Sequence, residues 1–288
     1  MDEIVVTDGE VEAVVLPEVG ARLHRLRAFG HDVLRTPADP AVHARDPFFW
    51  GAYIMAPWCN RIAPGSVRVG SQRISLRSNF PDGTAIHGQV YATPWEPRSD
   101  GSLHAAGGGN AWPWPYDVGV RMEVHARTLG IDLTLTNLSD EPMPAGLGIH
   151  PWFLRPVAVA IRADTVIPSN TDVRSQPEPV RGRFDLRALG EMSPDLDAAW
   201  TDLAEPPVEI RWEDVGIGAT MRTVPRASYI VAASPALLDA IAVEPETHAP
   251  QGLRRLLAGE PGGLTWIDPG RSLDLRVELA FQRLADGA

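Results

Sequence analysis

The stretch "RSLDLRVELAFQRL", residues 271 to 284, puts Leu273, Leu275, Val277, Leu279 and Phe281 at every second position. A period of two belongs to a strand with one buried face, because successive side chains point to opposite sides of a sheet. The same alternation runs through "DVGVRMEVHA" and "LGIDLTLTNLS", which flank a turn near Thr128. It recurs in shorter form in "VEIRW", "ASYIVAA" and "IAVEP". Two hairpins are legible from their turns, "EIVVT" and "VEAVVL" around Asp8-Gly9 and "VRVGSQRISL" around Gly70-Ser71. Helical spacing shows only in "PQGLRRLLAG", with Leu253, Leu256 and Leu257 ahead of Gly259. Many hairpin-linked strands with few helices predict an all-β protein, built as a large antiparallel β-sandwich with few short helices.

Composition narrows the partners. Apolar residues make up 44% of the 288, enough for a large core, and the length suits a single domain over residues 1–288. A formal net charge of −11 argues against nucleic acid and anionic membrane surfaces. One cysteine, Cys59, allows neither an internal disulfide nor a cysteine-rich metal site. No stretch approaches the roughly 18 apolar residues of a membrane-spanning helix. "MDEIVVTDGE" shows no basic start followed by an apolar run, so a cytoplasmic location is expected. Prolines and glycines are spread along the chain and punctuate short elements. "GGGN" with the following "PWPYD" reads as a surface loop, and Pro177 to Pro194 as an irregular excursion.

Four segments set polar groups against apolar strands or strand ends: "WCNRIAPG", "AIHGQVYATPWEP", "GIHPWFLRP" and "AIAVEPETHAP". Each has a plain structural reading. His150 and His87 could be tied-off histidines at strand ends, Arg61 a surface ion-pair partner and Glu244 an exposed strand terminus. Spacing alone does not bring them together.

In order along the chain, these segments resemble the motifs of the aldose 1-epimerase (galactose mutarotase-like) family. Asn60-Arg61-Ile62 resembles the first motif, Ile86-His87-Gly88 the His-Gly motif, and "HPWF" at 150 to 153 the His-aromatic motif. "LDAAWTDL", with Asp197, and "VEPETHAP", led by Glu244, resemble the last two. Trp152 departs from the commoner tyrosine form of the third motif. The resemblance implies a galactose mutarotase-like supersandwich and interconversion of the α and β anomers of an aldose without a cofactor. It implies Glu244 as base, His150 as acid at the ring oxygen and His87 as a hydrogen-bond donor beside it. Asn60, Arg61, Asp197 and Trp152 would hold the monosaccharide.

Nine tryptophans offer flat surfaces for a sugar ring; Trp58 and Trp152 are the cleft candidates, Trp95 and Trp266 core candidates. His24, His31, His43, His104 and His125 are expected in the core or on the surface, and His248 lies close enough to Glu244 in sequence to matter. Three other readings compete. Arg68, Arg73 and Arg77 could hold the phosphate of a hexose 6-phosphate. The fold could bind carbohydrate without turnover. His87, His150 and Glu244 could ligate Fe(II) in a cupin-like site, although the sequence lacks a close histidine pair.

Overall fold

The computed structural model describes residues 2–225 and 227–285. Strands dominate, as the alternation predicts, and 17 of them join one antiparallel hydrogen-bonded network. Two layers can be followed within it. In the first, the strand Gly148–Leu154 lies between Ala52–Met55 and Ala240–Glu246; next come Tyr229–Ser234 and the first part of Leu196–Trp212. In the second, Tyr116–His125, Thr128–Asn137, Ser272–Arg283 and Ile217–Val224 follow one another to the last part of Leu196–Trp212. The 17-residue strand Leu196–Trp212 thus serves both layers. Its Pro206-Pro207 step separates the two pairings, since proline offers no N–H to a ladder.

Alternation decides which side chains fill the space between the layers. Ile149, Phe153, Ile241, Val243, Ile230 and Trp200 of the first layer enter the same buried cluster as Ile131, Leu133, Leu275, Val277, Leu279 and Phe281 of the second. Each fully buried aliphatic or aromatic side chain contributes on the order of 1.5–3 kcal/mol. The opposite face of the first layer is therefore left free to carry polar groups.

The short helix lies at Gly252–Ala258 and ends at Gly259, whose left-handed φ of 67° closes it. The turn between Tyr116–His125 and Thr128–Asn137 uses Ala126 and Arg127, both at positive φ, where glycine or asparagine is usual. Among the described residues no helix is long and apolar enough to cross a membrane.

Several expectations are corrected. The segment after "GGGN" is no surface loop: Trp112 and Trp114 are fully buried and pack on one another. Trp58 is stacked against Trp112, 4.9 Å between ring centroids, and belongs to the core rather than a cleft. Trp266 is 45% exposed and is not a core residue, whereas Trp95 is buried. Neither His150 nor Glu244 stands at a strand end. His150 is third in Gly148–Leu154, and the Glu244 strand continues through Pro245 to Glu246. Pro245 sits opposite Ile230 there without ending the strand.

Candidate active site

The polar face of the first layer is a floor assembled by register. Pairing of Gly148 with Glu246 and of Trp152 with Ala242 sets His150 opposite Glu244. On the next strand over, Tyr53 pairs with His150; on the far side Val231 pairs with Glu244 and Ala233 with Asp197. Tyr53, His150, Glu244, Trp152 and Asp197 therefore point the same way because they share one parity on neighbouring strands. They line one cavity of about 280 Å³ together with Asn60, Arg61 and His87, so all seven site residues expected from sequence meet there.

His87 comes from outside this floor. It has a left-handed φ of 60° and is followed by Gly88, where a Cβ would lie 2.0 Å from the Ala56 carbonyl oxygen. Glycine is required at 88 because the two segments touch there. That contact brings the Asn60 amide N–H to His87 Nδ1, donating at 3.3 Å. An accepting Nδ1 places the proton of a neutral His87 ring on Nε2. Asn60, also at positive φ, accepts the Arg61 amide N–H on its side-chain oxygen at 2.9 Å.

His150 Nε2 lies 3.3 Å from Glu244 Oε1, and the His150 ring stacks on Tyr53 at 4.6 Å and meets His87 edge-on at 5.0 Å. All three polar groups are buried. Burial pushes the Glu244 carboxyl well above the usual carboxylate range, and neighbouring Glu246 and Asp197 add to the push. Burial pushes His150 the other way, down to about 3, and likewise holds His87 well below its ordinary value. In both cases the low-dielectric surroundings disfavour the charged form.

At the mouth, Arg61 donates from Nε to Asp82 at 2.7 Å and stands 3.8 Å from Asp197, while Asn170 donates from its side-chain nitrogen to Asp197. Burial raises the Asp197 carboxyl despite the opposing guanidinium. The Trp152 indole is fixed by donating to the Phe48 carbonyl at 2.6 Å. Phe48, Phe49 and Phe80 complete an aromatic wall with it.

Phe48, Phe49, Tyr53, Phe80, Asn170 and Asp195 also line the cavity, and sequence reasoning missed them. The adjacent Phe48-Phe49 just before a strand is the one local signal that pointed to the wall. His248 is buried, and its Nε2 accepts the Cys59 amide N–H at 2.9 Å. It is a brace for the Cys59–Asn60 segment and does not line the cavity. His24 and His43 are paired in the interior, 2.9 Å apart. Arg68, Arg73 and Arg77 do not line the cavity either; Arg73 and Arg77 border two separate surface grooves. His87, His150 and Glu244 each offer a ligand atom within 4.8 Å of the others, a set chemically able to take a divalent ion.

A family model described as aldose 1-epimerase matches residues 2–197. The chain belongs to the aldose 1-epimerase family. It is 26% identical over 255 residues to the uncharacterized protein YphB of Escherichia coli K12, covering 78% of this chain and 82% of that one. Its fold matches a galactose mutarotase-like protein of Clostridium acetobutylicum with a TM-score of 0.83 at 18% identity, covering 98% of this chain and 95% of the other. It also matches the GalM/aldose epimerase homologue of C. elegans with a TM-score of 0.81 at 16% identity, over 99% of both chains. At these identities the structural likenesses establish the fold.

Proposed function

We propose that this member of the aldose 1-epimerase family interconverts the α and β anomers of an uncharged aldose by acid–base catalysis. The observation that carries the reading is the Glu244–His150 pair, a carboxylate and an imidazole 3.3 Å apart at the floor of an aromatic-walled cavity. An aldopyranose opens when its anomeric hydroxyl loses a proton and its ring oxygen gains one. The C1–O5 bond breaks, the aldehyde turns, and the ring closes with the proton movements reversed. Glu244 takes the anomeric proton and returns it; His150 supplies the ring-oxygen proton and recovers it. His87 donates from Nε2 to the same oxygen. Arg61, Asp197 and Asn60 hold hydroxyls, and Trp152 with the phenylalanines covers the apolar C–H face of the ring.

Charge supports an uncharged substrate. Besides the Glu244–His150 pair, which is neutral overall with its one proton, Asp195 and Asp197 line the cavity against one guanidinium, Arg61, which Asp82 already engages. A sugar phosphate would bring about two more negative charges into that field. Optical rotation of freshly dissolved α-anomers should therefore relax faster with the protein for a neutral hexose, and much less so for its 6-phosphate. Saturable binding with no change in relaxation would instead identify a binding protein without turnover.

The convergence of two imidazoles and a carboxylate favours one other reading, a metal-dependent activity at the same three side chains. Exhaustive dialysis against a chelator separates the two. Relaxation unchanged by chelator supports acid–base catalysis, whereas loss restored by Fe(II) or Zn²⁺ supports the metal.

Arg61→Ala should raise KM about tenfold or more and leave kcat within a few-fold, because a charge-assisted hydrogen bond to a hydroxyl is typically worth about 1.5–3 kcal/mol. A drop in kcat with unchanged KM would move Arg61 from binding to chemistry.

A further inference from the structure

The aromatic wall of the cavity rests on a segment outside every strand. Residues 47–50, "PFFW", carry Phe48 and Phe49 into the cavity lining but belong to no strand or helix. A backbone carbonyl turned away from water needs a donor, so irregular backbone at a cavity must find its partners elsewhere. Here four consecutive carbonyls all end on side chains from other segments. Pro47 accepts from Arg22 Nη2 at 2.8 Å, Phe48 from Trp152 Nε1 at 2.6 Å, Phe49 from Arg35 Nη1 at 2.8 Å and Trp50 from Arg22 Nη1 at 2.8 Å. Three side chains thus set the path of the wall.

Arg22 takes the two ends. It is fully buried, opens the strand Arg22–Ala28, and also reaches the Tyr91 carbonyl from Nη2 at 3.2 Å. Its guanidinium stands 4.9 Å from the centre of the Tyr53 ring, which stacks on His150. Trp152 takes the Phe48 carbonyl from the floor itself.

Arg35 ties the wall to a further strand of the floor. While Nη1 holds the Phe49 carbonyl, Nε donates to Asp239 at 2.5 Å, and the guanidinium lies over the Trp50 ring, 3.4 Å from its centroid. Asp239 immediately precedes Ala240–Glu246, the strand that carries Glu244. Two main-chain bonds pin Arg35 in place: its N–H donates to the Trp152 carbonyl and its carbonyl accepts from Gly51, both at 2.8 Å. A rigid planar fork suits a carbonyl, a carboxylate and an indole face at once. As an ion pair the contact is worth little, since the Asp239 side chain is 69% exposed. What it supplies is placement.

Phe49 is where that placement meets the cavity. Its ring leans on Trp152 at 5.8 Å and on Phe80 at 6.4 Å between centroids. We propose that Arg35 is a positioning residue for the sugar: it fixes the Phe48–Phe49 wall against the strand that bears Glu244, so that the aromatic face and the base meet the same ring. The proposal rests on the reading of the cavity as a monosaccharide site. Arg35 does not line the cavity and acts through Phe49, on binding and not on proton transfer.

The test compares Arg35→Met, Phe49→Ala and the double variant, with glucose and galactose as probes. In Arg35→Met the calorimetric Kd and KM should rise together about tenfold, with kcat within about twofold. A residue needed only for folding would lower the melting temperature and the active fraction and leave Kd and KM where they were. Because Arg35 acts through Phe49, the double variant should bind within about twofold of Phe49→Ala alone. Losses that multiply would overturn the proposal, as would wild-type Kd and KM in Arg35→Met. Should that variant not fold, Asp239→Ala releases the same bridge from its exposed end; a Kd raised about threefold supports the proposal and an unchanged Kd overturns it. A wild type that binds either hexose without exchanging anomers fails the acid–base reading, and the Kd comparison still decides on Arg35. A wild type that binds neither hexose overturns the site reading and the proposal with it.

Discussion

Glu244→Gln should abolish catalysed anomer exchange, a loss of about 10²–10⁴-fold in kcat, while monosaccharide binding stays measurable by calorimetry. Glutamine keeps the length and planarity of the side chain and can still bond to a hydroxyl, but it cannot accept the anomeric proton. The neighbouring acid cannot take over. Glu246 faces the same way yet is fully buried and does not line the cavity. The glutamine side-chain oxygen can still face His150 Nε2, 3.3 Å away in the wild type, so the variant should fold and its sugar affinity should be readable. Near-wild-type relaxation of optical rotation in this variant would remove Glu244 from the mechanism.

The antiparallel class was legible because alternation is a local property. Leu275, Val277, Leu279 and Phe281 are buried together as their spacing requires. The convergence of the site was not local. His150 and Glu244 are 94 residues apart, and only the register of Gly148 on Glu246 places one opposite the other. Motif resemblance supplied that convergence in advance; periodicity could not. The misplacements have physical causes as well. Trp58 read as a cleft residue because it adjoins the Asn60-Arg61 motif, and Trp114 as a loop residue because glycines and prolines surround it. Turn residues describe the backbone, however, and the indoles of this segment turn inward and pack on one another. His150 and Glu244 were read as strand ends because polar residues usually mark them. Here the strands carry polar groups mid-length, because their second face meets a cavity rather than the core.

The pH dependence should carry the signature of burial. Unperturbed groups would give limbs near ~4.3 for the glutamate and ~6.5 for the histidine, with a facing carboxylate moving the histidine limb upward. The structure reverses this order. Burial raises Glu244 well above the usual carboxylate range and depresses His150 to about 3. Between those limits the two side chains together hold one proton, and the form that carries it on His150 is the one in which Glu244 acts as base and His150 as acid. The signs follow from the shifts. The pair takes up a second proton only as pH falls, so the acid limb should lie below the usual histidine range. The pair loses its one proton only as pH rises, so the alkaline limb should lie well above the usual carboxylate range. The expected profile is a broad plateau, not a narrow bell. His150→Asn should cut kcat by about 10²–10⁴-fold and erase the acid limb. His87→Asn should lower kcat but keep both limbs, because its Nδ1 is occupied by the Asn60 amide and burial keeps the ring neutral. An acid limb that disappears with His87→Asn and survives His150→Asn would exchange the roles of the two rings. A profile untouched by either would return His150 to the class of structural histidines.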